Sequence, residues 1–296
     1  SSATCSSMST MSITDYSGSL EDGKPHGHGS ARILKEGPST YTGHWSHGLQ
    51  DGEGTELWDD TSRYEGQYEA GKKNGRGKFT WPDGSTYTGE FSQSDVQGEG
   101  TFMWADGRVY KGEWRKNKMH GHGRYEWPDA RCYVGQLSDD QKEGIGTFLW
   151  ADGRKFIGQW ANGKQHGFGR FFTACGENKL GLWEDGIRKA WQDFLDKDSV
   201  LVLHPGPPDE DGMITLSFLD LDGKEIDALN PIRFELEKTK ASEIRDFLEA
   251  VSGRSLQLLL SDGTTFPAEL DALVSLADAL KAPVLTLRVD KLAEDG

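Results

Sequence analysis

An alternation of rings and glycine recurs along the first two thirds of the chain. Its first position is aromatic, its third is glycine and its fifth is a large apolar residue, as in YEGQY at residues 64–68. Side chains two residues apart lie on the same face of a β-strand. The pattern therefore predicts short strands that carry two large side chains on one face, with a glycine gap between them.

This alternation returns at a fixed spacing. The leading aromatic residues are Tyr16, Tyr41, Tyr64, Tyr87, Tyr110, Tyr133 and Phe156. The first step is 25 residues and the next five are 23 residues each. A further step of 23 reaches Lys179, where KLGLW keeps the glycine and the tryptophan without the aromatic residue. Self-similarity at such a period indicates a repeat architecture, here of seven repeats and a closing half.

Each repeat also predicts a second strand. Eleven and thirteen residues after the leading aromatic stands a glycine pair, and alternating rings follow, as in Phe79 and Trp81. The second strand ends in Asp-Gly, as at residues 83–84, which favours a two-residue hairpin turn. We therefore predict one β-hairpin per repeat. The glycine gap in the first strand is expected to let an aromatic ring from a neighbouring strand lie flat over the backbone.

Aromatic rings dominate the predicted core. A buried ring removes about 150–250 Å² from water, worth at most about 4–6 kcal/mol before the entropy of ordering is subtracted. A single hairpin cannot cover its own rings, so we expect stability to be a sum over neighbouring repeats.

The chain changes character after Trp191. Residues 191–296 carry 10 Lys and Arg against 22 Asp and Glu, so most of the net charge of −15 lies there. Residues 191–212 are predicted to be a linker. Residues 213–292 alternate apolar positions in four predicted strands, with a helix capped by Ser242 after the second. The predicted order is β-β-α-β-β.

Composition narrows the functional class. Neither part has the basic excess that phosphate-backbone binding requires, so a nucleic-acid partner is not expected. The three cysteines have no metal-ligand spacing, which favours a reducing compartment. No run of 18 apolar residues predicts a membrane span. Residues 1–15 are predicted to be a disordered Ser/Thr-rich tail, or alternatively what remains after removal of an organelle-targeting segment.

The search for catalytic chemistry gives no candidate. His26, His120 and His166 share one repeat offset, which would place them about 10 Å or more apart, too far to share a metal ion. The glycine-rich segments lack the strand-to-helix context of a nucleotide loop. The sequence therefore predicts no enzyme activity, no metal site and no cofactor.

The repeat, written YxGxW…GxGxxxxxDG, resembles the MORN (membrane occupation and recognition nexus) repeat. The resemblance covers residues 16–188, with departures at Ser94 and Asp140, which replace a turn glycine, and at Ala130 in the "PDA" turn. It implies a mainly β fold, an elongated single-layer antiparallel array of β-hairpins at residues 16–190. It also implies a scaffold role, since proteins with such arrays serve in cilia, cytoskeletal assemblies and membrane junctions.

Residues 213–292 resemble a small α+β domain of the ubiquitin-like β-grasp type. The strand order and the segment LVSLADALKAPVLTLRV carry this resemblance. Such a domain would cap the array or engage a second subunit. The array resemblance implies a subunit of a larger complex with an intracellular location, cytoplasmic, cytoskeletal or ciliary. The alternative location, a plastid, depends on the removal of a targeting segment at the start of the chain.

The predicted function is that of a non-enzymatic scaffold or adaptor that binds a helix or an extended segment of a partner protein. The candidate partner-binding residues are the ring pairs Tyr41 and Trp45, Tyr64 and Tyr68, Tyr87 and Phe91, Tyr110 and Trp114, and Phe156 and Trp160. The alternative is that these rings are the internal packing of the array. A second candidate function is binding of anionic lipid at a membrane surface, and its possible headgroup ligands are Lys111, Arg115, Lys116, Lys118 and Arg124.

Overall fold

The structure is a computed structural model that describes residues 12–34, 37–192, 200–205, 213–219, 232–235, 256–259 and 285–289. The chain forms two compact units, Ser1–Lys118 and Met119–Gly296. The described part of each unit is built from β-strands. The expected mainly β class is therefore confirmed.

In the first unit, the described strands follow one another in a simple antiparallel order. They are β1 (Ser12–Glu21), β2 (Lys24–Leu34), β3 (Ser39–Ser46), β4 (Leu49–Trp58), β5 (Arg63–Glu69), β6 (Lys72–Thr80), β7 (Thr86–Ser92), β8 (Asp95–Met103) and β9 (Val109–Arg115). Each strand is hydrogen-bonded to the next one in the chain, which makes an open sheet of hairpins.

The second unit continues the same arrangement and then adds a separate sheet. Its hairpin strands are β10 (Lys118–Glu126), β11 (Cys132–Ser138), β12 (Gln141–Leu149), β13 (Lys155–Ala161), β14 (Lys164–Phe172), β15 (Asn178–Glu184) and β16 (Ile187–Gln192). The later strands are β17 (Val200–Pro205), β18 (Met213–Leu219), β19 (Ile232–Glu235), β20 (Leu256–Leu259) and β21 (Leu285–Val289). These five form an antiparallel sheet in the order β19-β18-β17-β21-β20.

Two segments differ from the sequence prediction at the ends of the array. Strand β1 begins before Tyr16, inside the predicted tail at residues 1–15. Strand β17 lies inside the predicted linker at residues 191–212 and pairs with both β18 and β21. The predicted helix after Ser242 falls outside the described residues, and a β-grasp domain is not confirmed.

The two-residue hairpin turns lie at the end of the first strand of a repeat, and not at the Asp-Gly that closes the second strand, as at residues 83–84. The first and the last hairpins of the array have an Asp-Gly pair in this earlier turn, Asp22-Gly23 and Asp185-Gly186. Both turn residues have positive φ, as in Ala70 (48°) and Gly71 (80°). Ser94 and Asp140 occupy the second turn position at φ of 76° and 70°, so a residue other than glycine adopts the same turn there. The assignment of the two-residue turn to the later Asp-Gly pair was wrong. In the observed register Glu69 pairs with Lys72, which places the turn at residues 70–71.

The Asp-Gly segments instead form the connections between hairpins. At residues 81–85 the amide of Trp81 donates to the carbonyl of Ser85 (2.9 Å), and the amide of Gly84 donates to the carbonyl of Trp81 (3.0 Å). A carboxylate oxygen of Asp83 accepts from the amide of Ser85 (2.8 Å). Gly84 has a φ of 88°, whereas Asp83 is not among the residues with positive φ. Each connection therefore needs one left-handed residue, and this residue is usually glycine.

Ala130 occupies this left-handed position with a φ of 70°. Because a Cβ atom is strained there, Ala130→Gly is expected to stabilise the chain by about 0.5–1 kcal/mol. The converse change, Gly84→Ala, has open space around the new methyl group, so we expect it to cost about 1 kcal/mol from strain alone. Urea denaturation followed by far-UV circular dichroism measures both. A lower midpoint for Ala130→Gly would contradict the assignment of strain.

A continuous row of glycines crosses the strands. In the first unit Gly43 pairs with Gly54, Gly54 with Gly66 and Gly66 with Gly77. The leading ring of a repeat lies flat on this row, and a Cβ atom built on Gly77 would stand 2.5–2.6 Å from atoms of the Tyr64 side chain. The gap that Gly66 leaves in its strand is also covered by Tyr64, which belongs to the same strand. A ring from a neighbouring strand was expected there.

The leading rings join consecutive repeats. The ring of Tyr64 contacts Tyr68 of its own repeat edge-on at 5.1 Å between centroids, and Phe91 of the next repeat at 5.1 Å. Tyr87 repeats the arrangement with Phe91 (5.2 Å) and Trp114 (5.5 Å). Each hairpin is therefore covered by the next one, as expected for stability summed over neighbours.

Candidate partner-binding surface

The ten candidate partner-binding rings lie on one face of the strands, which we call the aromatic face. The leading residues Tyr41, Tyr64, Tyr87, Tyr110 and Phe156 have 0 % of their surface exposed, and their five partners, Trp45, Tyr68, Phe91, Trp114 and Trp160, have 2–7 %. Side chains so buried present almost no surface to a ligand. The structure thus supports the alternative in which these rings are the internal packing of the array.

The hydroxyl groups of the leading tyrosines are also used internally. Tyr64 donates to the carbonyl of Gln67 (2.9 Å) and Tyr87 donates to the carbonyl of Glu90 (3.0 Å), in each case three residues further along the chain. Burial raises the pKa of both hydroxyls above its ordinary value. These groups therefore remain neutral donors that fix the ring over the glycine row.

Two lysines lie among the rings of the aromatic face. The Nζ atom of Lys73 lies 4.7 Å from the ring centroid of Trp58 and 5.4 Å from that of Tyr64. Lys142, at the same repeat offset, lies 5.1 Å from the ring centroid of Trp160. Burial lowers the pKa of both lysines. The sequence analysis did not single out these residues, and their contacts are internal to the array.

Glu56 is a departure from the pattern on the aromatic face. It stands where later repeats carry an aromatic residue such as Phe79, and it is 8 % exposed. Its carboxylate accepts hydrogen bonds from the hydroxyls of Ser39 (2.5 Å) and Tyr68 (2.7 Å). The pKa of Tyr68 is raised mainly by burial and secondly by the negative charge of Glu56. The carboxylate is therefore held by hydroxyl donors inside the array.

The opposite face of the strands, which we call the reverse face, carries an open groove in the first unit. This groove has a volume of about 850 Å³. Its polar lining consists of His28, Thr42, His44, Glu53, Thr55, Glu65, Arg76, Lys78, Thr88, Glu90 and Glu99, and its floor consists of Gly43, Gly54, Gly66, Gly77 and Gly89. The lining side chains are mostly exposed. A ligand could therefore contact them without any change in the packing of the rings.

The groove is built by the residues on either side of each glycine. Thr88 and Glu90 flank Gly89, and alternation along the strand sends their side chains to the reverse face. The residue after the glycine folds over the next strand, as the side-chain oxygen of Gln67 accepts from the amide of Arg76 (2.9 Å). The sequence analysis did not single out these variable positions. The sequence signal that could have identified them is their placement at alternate positions, on the face opposite the rings.

Carboxylates outnumber the cations along the groove. Lys78 lies directly opposite Glu65 in the strand register, and Arg76 lies opposite Glu90. Glu53 instead lies opposite Gln67, which is uncharged. The remaining acid, Glu99, lies opposite another acid, Glu113. The excess of negative charge is therefore contributed by Glu53 and Glu99.

Glu65 has a second cationic neighbour beside the groove. Its carboxylate accepts a hydrogen bond from the Arg63 guanidinium at 2.6 Å. This hydrogen bond lowers the pKa of Glu65 and raises that of Arg63. Both side chains are half exposed, so the pair contributes little to stability.

The candidate lipid ligands have acidic residues beside them along their strands. Lys111 is exposed on the reverse face, opposite Thr101. Arg115 follows on the same face after Glu113. Lys116 is the first residue of the hairpin turn, and Lys118 begins the next strand. The fifth candidate, Arg124, belongs to the second unit and pairs with Glu126 at 2.6 Å. Acidic residues are therefore mixed with these cations.

Within the ranges that the structure describes, no group of three or more His, Cys, Asp or Glu is placed to hold a metal ion. In those ranges, no helix has the length and apolar content needed to cross a membrane.

A comparison with protein families identifies the repeat. The family model described as "MORN repeat" matches residues 16–31, 41–63, 64–86, 87–107, 110–129, 133–153 and 156–173. No curated protein matches the chain significantly. The match stops before the closing half-repeat, although β15 and β16 form a hairpin there. MORN repeats are generally protein- or lipid-binding repeats, and proteins built from them are generally non-enzymatic. The chain therefore carries an array of MORN repeats across residues 16–173.

Proposed function

We propose that this protein is a scaffold or adaptor that holds a basic segment of a partner protein in the reverse-face groove of its first unit. The observation that carries this proposal is the contrast between the two faces. The rings are buried, whereas the groove is open and lined by exposed side chains. An exposed concave surface with convergent polar groups is where a ligand binds by default.

The dimensions of the groove suit a short peptide segment. Its lining extends from His28 on β2 to Glu99 on β8. Six strand spacings of about 4.8 Å give a length of about 29 Å. This length matches about nine residues of extended chain or about 19 residues of helix. A single segment of a partner could therefore contact several repeats at once.

The charge of the groove selects the partner. Glu53 and Glu99 are not matched by a cation in the strand register, so Lys or Arg side chains of a partner would be attracted to them. An acidic segment or an anionic lipid headgroup would meet like charge here. We therefore place the protein-binding function ahead of lipid binding. A role as a subunit of a larger complex follows from the same proposal.

A defined peptide tests the proposal. We expect a fluorescent Lys-rich peptide of alternating Lys and Ser to bind the full chain, with an affinity that falls as salt is raised. The double change Glu53→Gln with Glu99→Gln is expected to weaken this binding by about fivefold, since each exposed charge pair contributes about 0.2–1 kcal/mol. Fluorescence anisotropy measures the dissociation constant.

The control removes the same number of charges elsewhere. Asp22 and Glu177 are exposed and do not line the groove, so Asp22→Asn with Glu177→Gln is expected to leave the affinity unchanged. Equal weakening by both double variants would show that net charge alone binds the peptide, and would contradict the proposal. Binding of phosphatidylserine vesicles in place of the peptide would favour the lipid alternative.

A further inference from the structure

The reverse face differs in character between the two units. At the position before the gap glycine, the first unit has Thr42 and Thr88, whereas the second unit has Val134, Ile157 and Leu180. Between the paired glycines the second unit has Ile145 and Phe168, where the first has residues such as Glu53 and Glu99. At these two offsets the strands β11 to β15 of the second unit are therefore apolar where the groove of the first unit is polar.

The burial of side chains on the reverse face also differs between the two units. Gln67, Gln136 and Gln159 occupy the same offset and make the same hydrogen bond to the amide nine residues further on. Gln67 is exposed, whereas Gln136 and Gln159 are 8 % and 7 % exposed. The residue, the strand position and the hydrogen bond are the same, so the glutamine itself does not explain the difference. Further chain lying over the reverse face of the second unit would produce this burial.

The most buried apolar side chains mark the centre of the covered area. Phe168 is 3 % exposed and Leu180 is 4 % exposed, although both point to the reverse face. Val134 of β11 is 44 % exposed, so the cover is incomplete at that strand. The covered surface therefore lies over β12 to β15.

The C-terminal strands are placed to provide this cover. Strand β19 approaches β12 to within 8 Å between Cα atoms. The charges also agree, because residues 191–296 are strongly acidic and the two central rows of the covered face hold Arg170 but no Asp or Glu. The groove of the first unit, with its excess of carboxylates, would repel the same acidic segment.

We propose that the C-terminal sheet, made of strands β17 to β21, docks on the apolar reverse face of β12 to β15. This contact covers the reverse face of β12 to β15 and leaves the groove of the first unit open to a partner. The docking surface and the groove consist of different residues, so this inference does not depend on the proposed function.

Thiol accessibility tests the contact in the full chain. In a background in which Cys5, Cys132 and Cys175 are replaced by serine, Leu180→Cys and Thr88→Cys place a thiol at the same offset of two repeats. We expect the thiol at position 180 to react with a maleimide about 100-fold more slowly than the thiol at position 88. Equal rates would overturn the proposal.

A second pair of variants separates docking from local packing. Ile157→Glu adds a charge to the covered face, and repeat three already has Glu65 at that offset, so the hairpin tolerates the residue. We expect this change to raise the reaction rate of the thiol at position 180 by about tenfold or more. The matched change Thr88→Glu is expected to leave that rate unchanged. Far-UV circular dichroism confirms that both variants keep the β-sheet.

Two results would overturn the proposal at this stage. If the thiol at position 180 stays equally protected in both glutamate variants, the hairpins themselves bury it. If its protection increases with protein concentration, a second copy of the chain is the occupant. Protection that is independent of concentration and lost in Ile157→Glu supports docking of the C-terminal sheet.

Discussion

Gly77→Ala is expected to destabilise the protein by about 3 kcal/mol or more, because the new methyl group overlaps a ring that cannot move. A Cβ atom at Gly77 would stand 2.5–2.6 Å from three atoms of Tyr64. Tyr64 is fully buried and is held by Tyr68 and Phe91. Its hydroxyl is fixed by the carbonyl of Gln67. Urea denaturation followed by tryptophan fluorescence measures the loss.

Gly84→Ala is the matched control for this change. It also adds one methyl group to a glycine, but nothing lies within 4 Å of the new atom. The cost there comes from the positive φ alone and is about 1 kcal/mol. If Gly77→Ala costs no more than Gly84→Ala, the ring does not depend on the glycine row and the packing described above is incorrect.

The second large effect is expected for Tyr87→Ala. This ring has no exposed surface, contacts Phe91 and Trp114, and covers Gly89 and Gly100. Removal of a buried aromatic side chain costs about 3–5 kcal/mol. Because Tyr87 joins its own repeat to the next one, the loss weakens both. The shift of the urea midpoint measures this effect.

Tyr87→Phe separates the ring from its hydroxyl. The change removes the hydrogen bond to the carbonyl of Glu90 and is expected to cost about 1 kcal/mol. Repeat seven already has Phe156 at this offset, and that ring is equally buried. A loss in Tyr87→Phe as large as that in Tyr87→Ala would show that the hydroxyl, and not the ring, holds the repeats together.

The sequence predicted the array well because its pattern is strict. Strand alternation and the 23-residue spacing placed the first strand of a repeat, as β5 and β7 show. The turn was assigned to the wrong pair because Asp-Gly is a common hairpin signal, while Gln93 and Ser94 are not. The geometry of the turn follows from how the two strands pair, and local propensity does not reveal that pairing.

The candidate site was harder to predict. The same residues, such as Tyr64 and Tyr68, fit both a ligand surface and an internal core, because large aromatic side chains serve in either place. The choice depends on which face of a single-layer sheet is covered. The polar residues of the groove, such as Glu53 and Thr88, follow no fixed identity along the repeats, so no sequence motif marks them.

One backbone hydrogen bond joins every hairpin turn to the hairpin before it. The amide of Gly71 donates to the carbonyl of Gln50 (2.8 Å), and the amide of Ser94 donates to that of Lys73 (2.9 Å). The accepting residues in successive repeats are Pro25, Gln50, Lys73, Val96, Met119, Lys142 and Gln165. These side chains have no chemistry in common, because the main chain alone makes the bond. Evolution can therefore vary the residue at this position and diversify the array without losing the backbone bond that joins its hairpins.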